Sequence, residues 1–152
     1  MLCPLTSDEV ARKALEAPME RTNFEKLQVY QLSEKLADNV WNIVIAWDSF
    51  AKDTVGKQIV RAADSIGANI SEGSGRGSIQ DNRRFVRIAR GSLYETIHWL
   101  HRCYLRKLLS QSEVKKLRLL VEELAPKLNA FLRSVDKRVD SKKTTEVQST
   151  KN

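Results

Sequence analysis

Four times along this chain, apolar residues return at steps of three and four, and that recurrence restricts the fold more than any single motif does. In the first segment the line is Leu32, Leu36, Val40, Ile43, Trp47 and Phe50, joined by Leu27, Tyr30 and Val44. The pattern predicts a helix over residues 24–50, capped by Asn23 and about 40 Å long at the usual rise per residue. In the second segment Asp53 stands where it can cap a helix whose stripe is Ile59, Ala62, Ile66 and Ile70. Gly56, Ala63 and Gly67 form an adjoining line of small residues, which lets another helix come close.

The third segment starts at Ser78, with Asp81 three residues on in a variant of the capping box. It runs to about Leu108 along Val86, Leu93, Ile97, Leu100 and Tyr104. Ser110 and Glu113 form a fuller capping box before the fourth, whose line is Leu117, Leu120, Val121, Leu124, Leu128, Phe131 and Val135. Pro126 lies inside that line and predicts a kink, at ~3 kcal/mol in intrinsic propensity. Gly73, Gly75 and Gly77 predict a turn between helices two and three in which glycine takes the left-handed conformation.

Four helices joined by connections of a few residues predict an all-α, antiparallel up-down-up-down four-helix bundle. The 3 prolines and 6 glycines in 152 residues are too few for the turns of a sandwich or barrel. The bundle is expected over residues 23–136, after a loosely ordered leader, 1–22, in which Pro18 would stop any short helix. Residues 137–152 are Lys/Ser/Thr-rich without a period, five basic against two acidic, and predict a disordered basic tail.

Several function classes are excluded by what the residues lack. Cys3 and Cys103 stand far apart with no C-x-x-C or Cys/His spacing, so neither a disulfide framework nor a zinc site is indicated. Cys103, among apolar neighbours, reads as a buried small hydrophobe. The longest apolar patch, Val40 to Trp47, is interrupted by Asn42 and closed by Asp48, so no membrane span is expected; the setting is reduced and cytoplasmic. The glycine-rich turn lacks a Gly-Lys-Ser/Thr ending and a preceding strand, although its backbone with Arg76 can attract an anion. His98 and His101 have only Glu95 nearby, too little for a metal pair, and Arg90 lies too far upstream for a bundle-ribonuclease Arg/His spacing. No catalytic residue, metal or cofactor is expected, and the chain reads as non-enzymatic.

The charge is unevenly spread. Residues 23–75 hold five Lys/Arg against seven Asp/Glu, whereas residues 76–118 hold eleven against three. Arg83, Arg87 and Arg90 stand at i, i+4 and i+7, and His98, Arg102 and Arg106 continue roughly that line past Tyr94. With Arg76 and Arg84 nearby, a basic stripe about 30 Å long follows, the electrostatic footprint of sequence-independent RNA or DNA binding. The alternative is a set of arginines that pair with the acidic first half of the same or a neighbouring subunit. Ser65, Asn69 and Glu72 share one helix face, and Ser92 with Glu95 can face them, an interhelix polar network in which Arg76 or Arg84 pairs Glu72. Trp41 and Trp47 are about 240° apart, and Tyr94 and Trp99 leave the main line of helix three. Large apolar side chains on an outer face point to a subunit interface and a homo-oligomer.

The stretch Ala62-Ala63-Asp64-Ser65-Ile66-Gly67-Ala68-Asn69-Ile70-Ser71-Glu72-Gly73 is followed by Gly75-Arg76-Gly77-Ser78, then by Arg84-Phe85, Ala89-Arg90-Gly91-Ser92-Leu93 and Glu95-Thr96. Preceded by Asn-Phe-Glu-Lys-Leu-Gln-Val-Tyr-Gln at 23–31, it resembles the four-helix-bundle family of proteins encoded in intervening sequences of bacterial large-subunit (23S) rRNA genes. More distantly it is similar to the accessory variability-determinant protein of diversity-generating retroelements. The resemblance spans residues 23 to about 135. It implies a cytoplasmic bundle assembled as a homopentamer and, on the retroelement side, a basic surface serving nucleic acid and a reverse transcriptase.

Overall fold

A computed structural model describes residues 27–149. Its helices are α1 (Gln28–Val44), α2 (Ser49–Ala51), α3 (Lys57–Gly75), α4 (Ile79–Leu105) and α5 (Gln111–Ser149), with a π-turn (Lys52–Gly56) joining α2 to α3. Lys52 and Lys57 keep right-handed helical backbone, so α2, the π-turn and α3 make one continuous rod. The four rods pack in a ring, α1 on α3, α3 on α4, α4 on α5 and α5 on α1. The fold is an all-α, antiparallel four-helix bundle, and no strand occurs among the described residues. Its interior holds Leu36 and Val40 of α1, Ile59, Ile66 and Ile70 of α3, Val86 and Leu93 of α4, and Leu124 and Leu128 of α5. Each fully buried Leu or Ile of this set contributes about 1.5–3 kcal/mol over its exposed state.

The first helix is shorter than its periodicity suggests. The amides of Ala46 and Trp47 bond back to Ile43 and Val44 three residues earlier, tightening the chain into a turn that ends α1. Asp48, not Asp53, caps the rod that follows, its Oδ1 accepting from the Ala51 N–H at 3.0 Å. Asp53 instead lies on the surface, paired with Lys57 at 3.2 Å. Phe50 therefore falls outside the first helix and is 80% exposed. Residues 1–22 and the Asn23 cap lie outside the described residues, and Leu27 precedes α1 without a side-chain cap.

The small residues of the second rod do bring helices together. A Cβ on Gly67 would stand 2.9 Å from Ser33 Oγ and 3.5 Å from the Tyr30 ring on α1, and one on Gly56 would meet Val44 Cγ1 at 2.8 Å. At the α3–α4 joint the expectation of left-handed glycines is corrected, because no glycine among the described residues has positive φ. The helix ends because Arg76 turns to an extended conformation, φ −80° and ψ 145°, and Ser78 starts α4 by accepting from the Asp81 N–H at 3.1 Å. Gly73 serves packing, since a Cβ there would lie 2.9 Å from Asn82 Oδ1 and from Phe85 Cβ.

The left-handed position falls on Lys107, φ 59°, after α4. The Lys107 N–H bonds to the Tyr104 carbonyl and the Leu108 N–H to the Cys103 carbonyl, the paired bonds of a Schellman motif. Ser110 and Glu113 then form the full capping box, each side chain accepting from the other's amide, at 2.7 and 3.2 Å. Pro126 sits inside α5 without ending it. The helix also continues past residue 136, to Ser149, so composition misplaces the boundary: Val139 is fully buried, and only beyond it is the described surface uniformly exposed.

Candidate nucleic-acid interface

An α-helix advances 100° per residue, so the nineteen steps from Arg83 to Arg102 leave the two side chains about 100° apart around α4. The basic stripe is consequently two patches. Arg83 and Arg87 face α5, where both reach Asp136 Oδ1, at 3.9 and 3.2 Å. Arg83 is only 24% exposed, whereas Arg87 remains half open to solvent. Arg106 belongs to the other side, in a cleft of about 570 Å³ that it shares with Arg61 of α3 and Trp99. Among the described residues, Arg84, Arg90, Arg102 and Arg106 have no carboxylate within ion-pair distance. Arg76 pairs with Glu72 one turn earlier and lies over the Phe85 ring, 5.1 Å from its centre.

Where the stripe was expected to continue, the outward face of α4 becomes apolar. Tyr94, Ile97, Tyr104 and Leu105 are exposed there, Tyr104 by 56%. Trp41 and Ile45 near the end of α1, Phe50 in α2 and Leu119 in the third turn of α5 are exposed at the same end of the bundle. Trp47, by contrast, packs partly buried against the core. His101 lines an apolar groove of about 420 Å³ between α4 and α5 with Ile97, Leu100, Tyr104 and Val121.

The expected interhelix polar network is not assembled. Asn69 Nδ2 donates to the Ser65 carbonyl and Ser92 Oγ to the Ile88 carbonyl, each within its own helix. Glu95 accepts from Trp99 Nε1 at 3.4 Å, and Thr96 bonds back to the Ser92 carbonyl. Hydroxyls and amides so spaced reach the carbonyl one turn back, which satisfies them without a partner helix. Only the Arg76–Glu72 contact of that reading is present.

Between α1 and α3 lies a small groove of about 190 Å³ lined by Glu34, Asp38 and Asp64. Desolvation, then the charge of Asp38, push the Asp64 carboxyl above its ordinary 3.8. Cys103 is fully buried, and burial raises its thiol to about 11, so it is inert packing. No group of three or more His, Cys, Asp or Glu among the described residues could hold a metal ion. No described helix is long and apolar enough to cross a membrane. Sequence spacing missed Asp136, Arg61 and the cleft at Trp99, because each depends on which helices are neighbours; an acid set between Arg133 and Lys137 in the basic run of α5 was the one visible signal.

The sequence model of the 23S rRNA-intervening sequence protein family matches residues 25–130, and the chain belongs to that family. Among solved structures, a protein of unknown function from the S23 ribosomal protein family of Bacteroides thetaiotaomicron superposes with a TM-score of 0.60 at 24% identity. That likeness covers 68% of this chain and 97% of the other, and it shows the shared fold. No curated protein matches the chain.

Proposed function

We propose that this protein is a non-enzymatic, oligomeric bundle that binds RNA or DNA without sequence preference through the arginine-rich surface of α4. The observation that carries this reading is the unbalanced charge of that helix. Arg83 and Arg87 share a single carboxylate, and Arg84, Arg90, Arg102 and Arg106 have none within reach among the described residues. Guanidinium forks left open to water on one helix are suited to phosphate oxygens, and they bind at a strength set by salt. Oligomerisation is supported by the exposed aromatic and aliphatic side chains at one end of the bundle. A homopentamer, and a reverse transcriptase as protein partner, rest on the family and retroelement resemblances alone.

The test uses Arg84→Gln, Arg87→Gln and Arg90→Gln together, since neutral side chains avoid setting new carboxylates against Asp136. Binding of random-sequence RNA and DNA should weaken, and the slope of log affinity against log salt should fall by about three. An unchanged slope and affinity would remove α4 as the site. A second reading, favoured by the same exposed apolar end, is a structural module whose arginines join subunits; there the triple variant dissociates in light scattering at low salt.

A further inference from the structure

We infer that the cleft between the start of α3 and the end of α4 seats one unstacked nucleotide, its base on Trp99 and its phosphate between Arg61 and Arg106. This rests on the nucleic-acid binding proposed above and adds the state of the strand. The cleft, about 570 Å³, falls in the ~300–1,000 Å³ range of small-ligand sites. Lys57 is met by Asp53 at 3.2 Å, which leaves Arg61 and Arg106 as the cationic groups of the lining with no carboxylate partner among the described residues. Both project from ordered backbone: Arg61 from the body of α3, Arg106 from the cap of α4, whose N–H is bonded to the Arg102 carbonyl at 3.0 Å. Two planar guanidinium groups flanking one opening match the oxygens of a phosphodiester.

Trp99 supplies what a purely electrostatic site lacks. It is the one aromatic side chain in the lining. Its ring is held by the contact of Nε1 with Glu95 Oε1 and by the His98 ring, edge-on at 5.0 Å and 74°. With the indole N–H engaged, the π-face is the surface it can offer, and every base can stack on that face whatever its identity. Bases within a duplex are already stacked, so the cleft favours single strands, loops or frayed ends.

The experiment compares a mixed-sequence single-stranded RNA 20-mer with its duplex by fluorescence anisotropy. The protein carries Trp41→Phe and Trp47→Phe, so that Trp99 alone reports emission. The single strand should bind more tightly and quench Trp99. Trp99→Leu should lose about tenfold for the single strand, the effect of one stacked base, and leave the duplex unchanged. Because Trp99 also touches the core, Arg61→Gln with Arg106→Gln gives a second, surface variant that should weaken the single strand by a similar factor. If nucleic acid binds but Trp99 is unquenched and both variants bind the single strand as before, the cleft assignment is overturned while the α4 reading stands. If neither strand form binds at low salt, both fall.

Discussion

Glycine-to-alanine changes at two helical positions should have opposite signs. Inside a helix alanine is favoured over glycine by ~1 kcal/mol. Gly91 lies within α4 with nothing within 4 Å of where a Cβ would stand, so Gly91→Ala should realise that gain and raise the thermal midpoint by about 3 °C. Gly67 also lies within a helix, α3, but its Cβ would meet Ser33 Oγ at 2.9 Å. That hydroxyl cannot withdraw freely, because Ser33 is 1% exposed and its Oγ donates to the Tyr30 carbonyl at 2.6 Å. Leaving the hydroxyl without its bond costs about 1–3 kcal/mol, and pushing α1 away instead costs about as much. After the ~1 kcal/mol propensity gain, Gly67→Ala should still lose up to about 2 kcal/mol. Urea denaturation of both variants measures this, and Ser33→Ala added to Gly67→Ala should recover at least about 1 kcal/mol of coupling. Equal stabilisation by the two alanines would refute the close approach of α1 and α3.

Lys107 holds a left-handed conformation that suits glycine, so Lys107→Gly should stabilise by about 1 kcal/mol in the same denaturation assay. Asp136→Asn removes the carboxylate that Arg83 and Arg87 share; stability should fall by no more than about 1 kcal/mol, while affinity for RNA or DNA at low salt rises and its salt slope steepens. For Asp64, the raised carboxyl pKa means that the folded state holds the proton more tightly than the unfolded chain, so stability falls as pH climbs from the ordinary 3.8 through the raised value. Asp64→Asn should therefore match the parent in melting temperature below pH 3.8 and exceed it at neutral pH, and equal midpoints at pH 7 would contradict the assignment.

The fold was legible because bundle helices announce themselves locally: a stripe at steps of three and four, a Ser110–Glu113 box, small residues where α1 meets Gly67. Errors arose where a local pattern had two readings. The apolar line of helix one ran on through Trp47 and Phe50, and only the competition between Asp48 and Asp53 as caps decided the break. Glycines suggested a left-handed turn, yet Gly73 was needed to admit Asn82 and Phe85. The candidate site was less legible still. Charge content located α4, but a stripe read over nineteen residues drifts around the helix, and neither Asp136 nor Arg61 can be assigned to an arginine before the ring of helices is closed.

The acidic groove of Glu34, Asp38 and Asp64 lies on the α1–α3 seam, and α1 sits across the ring from arginine-rich α4. A molecule charged this way carries an electric dipole transverse to its long axis. A polyanion several ångströms away exerts a torque on it, repelling one flank and drawing in the other, so the protein is turned before it touches. Orientation of that kind raises the rate of productive encounter and fades as salt shortens the reach of the field. The carboxylates of α1 and α3, which contact no ligand in this scheme, would thus help determine which way the protein faces on arrival.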